Sequence, residues 1–255
     1  MNVNVMRGID RFVGIPLCLL VGFISRWRPR HEPKTPLQTI LIIKFFGLGS
    51  VLLSTPLLSS LKYRFPDSRI LYLTFSHNRE LLDKLPQPTD RLIISTSSAL
   101  AFVRDTFAVL RFLRQQRIDI VFDLEFFSKF STLISTLSNA PIRVGYELPT
   151  RWRQHNVTHH IPLDHSAHVV DVFLRQLSAL NISPDTDAII TPILPSAEER
   201  RSATRKLGLG TNGFEIVCVN INAGTTSLER RWPPERFLRV VEIMLSQGQE
   251  RRFFF

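Results

Sequence analysis

Residues 39–67 read TILIIKFFGLGSVLLSTPLLSSLKYRFPD, and this stretch decides the fold. It opens on a short apolar run, Ile40-Leu41-Ile42-Ile43, the pattern of a strand buried on both faces of a parallel sheet. A glycine turn follows, Gly47-Leu48-Gly49-Ser50, and then a helical spacing of Leu57, Leu58, Leu61 and Phe65. Ser54 and Thr55 before Pro56 suit a cap with proline at the first helical position. A helix running from Ser50 and kinked at Pro56 is the alternative. Strand, glycine turn and helix make the opening unit of a doubly wound α/β domain, whose ligands bind at the mouth of such turns. The glycines serve tight-turn geometry in either case. A dinucleotide fingerprint needs a third glycine, and position 52 is Leu.

Toward the amino terminus, residues 12–24 (FVGIPLCLLVGFI) are apolar, with Arg7 and Arg11 before them and Arg26, Arg28 and Arg30 after. The run falls short of the roughly 17–25 residues that span a bilayer. No small-residue cleavage site follows it, so it does not read as a signal peptide. It suits an interfacial anchor whose arginines reach anionic headgroups, or a plain helix docked on the domain. Residues 1–36 are therefore an apolar, basic segment and linker.

Toward the carboxyl terminus, strands and helices alternate. Residues 69–75, 91–95, 119–124 and 143–146 read as strands; 78–84, 99–117 and 128–137 read as helices. That alternation means βαβ units and a parallel sheet. A helix over 166–180, capped by Ser166, closes a first Rossmann-like domain at 37–183. A crossover linker at 184–212 carries a polar helix over 197–207. A second βα start, strand 214–220 and helix 233–245, opens a further Rossmann-like domain at 213–255. The final RRFFF closes no element in this reading.

Composition narrows the class. An apolar content of 44% and a charged content of 21% are those of a globular protein rather than a disordered one. Two distant cysteines form no disulfide framework, as in a reducing compartment. A net charge of +10 favours polyanionic partners, among them anionic lipid and phosphorylated glycolipid. No motif of a nucleic-acid module is present, so nucleic acid is not an expected partner.

Asp123 and Glu125 lie at the carboxyl end of the fourth strand, two residues apart and so on one face. Residues 222–232 (NAGTTSLERRW) offer backbone N–H groups and the hydroxyls of Thr225 and Thr226 to a phosphate, with Arg230 or Arg231 to neutralise it. The bland readings are a strand-end turn and a solvated basic turn. His159 and His160 are neighbours that point to opposite faces, and His165 and His168 lack a third ligand at sensible spacing, so no metal site is expected. His168 is a candidate acceptor contact.

These motifs resemble glycosyltransferase family 9, the ADP-heptose:lipopolysaccharide heptosyltransferases. Lys44, Gly47, Gly49, Pro56, Leu57, Phe65, Pro66 and Asp67 match the family's opening signature, in which the residue after the second glycine is Asp; here it is Ser50. Arg143, Gly145 and Tyr146 match a second segment. Thr225, Thr226, Arg230, Trp232 and Pro233 match the start of the donor domain, Arg230 standing where the family has a donor-phosphate lysine. The resemblance implies a GT-B-like α/β fold of two Rossmann-like domains with parallel sheets, the second incomplete, facing each other across a cleft. It implies inverting, metal-independent transfer of a heptose-type sugar from an ADP-sugar to a lipopolysaccharide-core-like acceptor, with no cofactor. The work would be cytoplasmic, at the anionic surface of the inner membrane. With Ser50 unable to act alone as a base, Glu125, or failing it Asp123, is expected to take the acceptor proton while Ser50 orients the acceptor near Gly47 and Gly49. No counterpart of the later donor-domain segments follows Gln249, which reads as C-terminal truncation and an inactive chain. A non-catalytic fragment or binding protein of the same fold is the alternative, and a nicotinamide-dependent oxidoreductase the remoter one.

Overall fold

The computed structural model describes residues 12–27, 31–86, 89–183, 190–208, 214–221, 231–248 and 250–255. The chain forms two compact units, Met1–Ile193 and Leu194–Phe255.

The first unit is built on a six-stranded sheet: β1 (Thr39–Ile43), β2 (Arg69–Phe75), β3 (Asp90–Ile94), β4 (Ile120–Asp123), β5 (Ile142–Tyr146) and β6 (His159–Ile161). All neighbours pair in parallel. Their order is β3-β2-β1-β4-β5-β6, the doubly wound order, and it reverses direction between β1 and β4. The alternation of side chains along β1 explains its uniform apolarity. Ile40 and Ile42 enter one core with Leu57, Leu58 and Leu61; Leu41, Ile43 and Phe45 enter the other with Val109 and Leu113.

Helices cover both faces: α1 (Gly14–Ser25), α2 (Leu48–Leu52), α3 (Thr55–Arg64), α4 (Arg79–Asp83), α5 (Ala99–Gln115), α6 (Lys129–Leu137), α7 (Arg151–Gln154) and α8 (Val169–Leu174). Ser98 and Ser128 start α5 and α6 by accepting the backbone N–H groups of Ala101 and Ser131. Two expected caps are corrected. Ser54 caps nothing: its hydroxyl donates to the Val51 carbonyl (2.7 Å) and lies 2.9 Å from the buried Tyr72 hydroxyl. The helical stretch breaks at Leu53–Ser54 into α2 and α3, and Pro56 sits in the first turn of α3, where its missing N–H costs nothing. Ser166 donates instead to Asp164 (2.6 Å), and α8 begins three residues later, where the His168 ring accepts the Val170 N–H.

The second unit holds α9 (Ala197–Lys206), β7 (Glu215–Cys218), α10 (Pro234–Ser246) and β8 (Arg251–Phe254). A full capping box between Ser196 and Glu199 starts α9. The RRFFF end does close an element, against expectation: β8 pairs in parallel with β7, Val217 opposite Phe253. Its arginines hide the strand pattern, yet both find partners in or next to β7. Arg251 binds Glu215 at 2.6 Å, and the Arg252 guanidinium sits 4.0 Å from the Phe214 ring centroid.

Candidate active site at the carboxyl edge of the sheet

Where the strand order reverses, β1 and β4 run side by side, with Ile43 opposite Asp123. Open α/β sheets take ligands at such a point, outside the carboxyl ends of the strands. The chain leaving β1 and the chain leaving β4 are tied together by one carboxylate. Glu125 Oε1 accepts from Lys44 Nζ (2.8 Å), Phe45 N (2.7 Å) and Phe46 N (2.9 Å). The ion pair is shielded, with the Lys44 and Glu125 side chains 4% and 8% exposed. The other oxygen, Oε2, takes no donor among the described residues and is not sealed from solvent.

On its other side the β1 turn is held by Asn78, whose amide donates to the Phe45 carbonyl (3.0 Å) and to Thr74 Oγ1 (2.8 Å). Phe45 stacks on Phe75 at 4.4 Å. The turn then reverses at Gly47, whose φ of +85° is a backbone state that side chains disfavour. Ser50 Oγ comes within 3.0 Å of the position a Gly47 Cβ would occupy, so serine and glycine meet inside the turn. A Cβ at Gly49 would touch nothing within 4 Å, which leaves open space beside α2. Phe46, Leu48 and Phe127 are exposed at this edge.

Asp123 is differently placed. At 1% exposure its Oδ1 accepts from the Glu125 N–H (3.1 Å) and its Oδ2 from Ser131 Oγ (3.0 Å) and Arg153 Nη2 (3.3 Å). Burial pushes its carboxyl up to about 6, with the Glu125 charge adding to the rise; Arg153, the Glu125 N–H and Ser131 oppose it. Arg153, itself buried, also donates to the Phe126 and Glu125 carbonyls at 3.0 and 2.8 Å. Gln176 donates to the Asp123 carbonyl at 2.8 Å. Burial likewise raises Tyr146 and Tyr72.

Gly47, Gly49, Ser50, Asp123 and Glu125 thus stand on two adjoining strand ends. His168 does not join them: it caps α8, beyond β6. Thr225, Thr226 and Arg230 lie outside the described residues. Arg153, Gln176 and Asn78 escaped the sequence reading. A buried arginine at the third position of a four-residue helix leaves no periodic mark, and its carbonyl partners lie 27 and 28 positions away.

No family model matches the chain. Over 209 residues it is 25% identical to lipopolysaccharide heptosyltransferase 3 of Escherichia coli K12, an alignment covering 79% of this chain and 58% of that protein. The chain therefore spans under two thirds of the length of the curated relatives it matches. Among solved structures, a glycosyl transferase of family 9 from Veillonella parvula superposes with a TM-score of 0.67 at 24% identity, covering 88% of this chain and 64% of that one. The E. coli ADP-heptose lps heptosyltransferase II follows at 0.59 and 17%, over 86% and 64%. These likenesses agree with a GT-B-like α/β architecture. In sequence the chain is heptosyltransferase-like, and in fold it is similar to a glycosyl transferase of family 9.

Proposed function

We propose that this chain belongs to an enzyme transferring a heptose-type sugar from an ADP-sugar donor to a lipopolysaccharide-core-like acceptor, with inversion and without a metal. The names of its relatives support that donor and acceptor. The observation that carries the site assignment is Glu125 at the β1/β4 reversal, with one carboxylate oxygen held by three donors and the other left open. In this reading an acceptor hydroxyl attacks the anomeric carbon, the bond to the diphosphate breaks, and the hydroxyl proton passes to Glu125 Oε2. Asp123 positions Glu125 through its N–H and is too enclosed to meet an acceptor. Ser50, at the turn with Gly47 and Gly49, orients the acceptor. Thr225, Thr226 and Arg230 take the donor phosphates, and His168 contacts the acceptor side. In this reading the reaction takes place at the cytoplasmic face of an inner membrane, where a lipid-anchored acceptor would be met.

The test is transfer from ADP-heptose to a core oligosaccharide, followed by mass spectrometry on the full-length enzyme. Glu125→Gln should lower kcat by about 10²–10⁴, the usual contribution of general-base catalysis. Ser50→Ala should act mainly on the acceptor KM, and EDTA should leave the rate unchanged. A Ser50→Ala loss larger than that of Glu125→Gln would refute the assignment of the base.

A further inference from the structure

Helix α1 is built inside out. A surface helix of a water-soluble domain turns its large apolar residues inward. Here the residues buried against the domain are Gly14, Cys18, Gly22 and Ser25, all small. They let α1 lie close on α6 and α7. A Cβ at Gly14 would come within 2.7 Å of Lys129 Cβ, and one at Gly22 within 3.0 Å of the Asn156 amide. The docked face is also pinned by polar contacts. Asn156 Nδ2 donates to the Cys18 carbonyl (2.9 Å), Thr136 holds Asn156 Oδ1 (2.9 Å), and Arg26 bonds the His155 ring (2.6 Å). Rotation that would bury the opposite face is thereby opposed.

That opposite face carries Leu17, Leu19, Leu20, Phe23 and Ile24, all exposed. At ~100° per residue these cover an arc of roughly 160°. Phe12 before the helix and Trp27 after it are 77% and 79% exposed. A partner helix needs only a narrow stripe, whereas this arc is broad and convex. Small residues toward protein and large ones outward is the arrangement of helices packed in lipid. Length rules against a span: twelve residues reach about 18 Å against a hydrocarbon core of about 30 Å. No described helix is long and apolar enough to cross a membrane. The flanks carry Arg7, Arg11, Arg26, Arg28 and Arg30 in a chain of net charge +10, the complement of an anionic surface.

We infer that the outer face of α1 is a docking surface for a bilayer containing anionic lipid, buried to the depth of its side chains with Trp27 at the headgroup level. Gly14 packs on Lys129, the first residue of α6, just past Glu125 in the chain, so the amino end of the docked helix lies toward the carboxyl edge of the sheet. On the transfer reading, this brings the site beside an acceptor whose lipid stays in the membrane; the docking itself does not depend on that reading.

Flotation of the full chain with vesicles of roughly three parts phosphatidylcholine to one part phosphatidylglycerol tests it. Wild type should float, and more weakly with phosphatidylcholine alone. Leu20→Glu with Phe23→Glu, both at exposed positions, should cut partition at least about tenfold while the melting temperature holds. Trp27→Glu, outside the helix, should act in the same direction with a smaller drop. Equal flotation of wild type and the double variant would overturn the proposal, as would no flotation at all. A dimer that the double variant dissociates, without any vesicle binding, would assign the face to a second copy instead.

Discussion

Asp123 holds a carboxyl in a place where its charge is expensive, beneath Arg153 and Ser131 and beside the Glu125 carboxylate. With a folded value of about 6 and an ordinary value of 3.8, the folded chain retains a proton between those pH values that the unfolded chain has released. Stability contributed by this group is therefore full below about pH 4 and is lost as pH climbs through 6, by up to about 3 kcal/mol. The difference in unfolding free energy between wild type and Asp123→Asn, measured by denaturant titration from pH 4 to 7, should carry that slope; a flat difference would place the charge elsewhere. The two carboxylates were legible in the sequence because they end an apolar run two residues apart. Their division of labour was not. Glu125 is set by a lysine and two amides some 80 positions earlier, and Asp123 by an arginine 30 positions later. Nothing local in DLEFF encodes which oxygen stays open.

At the scale of elements, apolar runs with β-branched residues betrayed β1, β2, β4 and β5, and β3 was displaced by one residue only. β6 is different: His159 and His160 read only as an isolated strand-like piece, and what makes it a sixth strand of the sheet is its pairing with β5. The Ser54 break was hidden for a similar reason. Its hydroxyl turns to Tyr72, a residue of another element, instead of to the helix start. Docking of α1 rests on two glycines that read in sequence as part of a plain apolar run. Gly14→Ala should lower stability by about 1–3 kcal/mol, since the added methyl meets a Cβ rather than the movable end of a side chain. Gly49→Ala, with open space around it and helical geometry, should be neutral or stabilising by up to about 1 kcal/mol. Thermal melts of the two variants check the contrast, and comparable losses would mean that α1 is not packed as described.

For the whole molecule, the two units differ in how much they bury. β1 and β4 have nearly every residue sealed, while none of the residues of α9, α10 or β7 is buried. Leu238, Ile243 and Leu245 of α10 are exposed. Amides in the β7–β8 pair should therefore exchange with solvent at least about tenfold faster than those of the β1–β4 pair, because local opening there exposes little that was hidden. Hydrogen-exchange mass spectrometry reads this directly, and equal protection of both pairs would contradict it. The reversal between β1 and β4 also has a consequence in time. Lys44 and Glu125 are 81 residues apart in the chain. At about 5–20 residues per second, a ribosome needs roughly 4–16 s to deliver the second after the first. Throughout that interval the apolar strand β1 has emerged without its inner neighbour, so the nascent chain carries an unpaired, aggregation-prone strand edge until β4 arrives, and the centre of this sheet can close only after that.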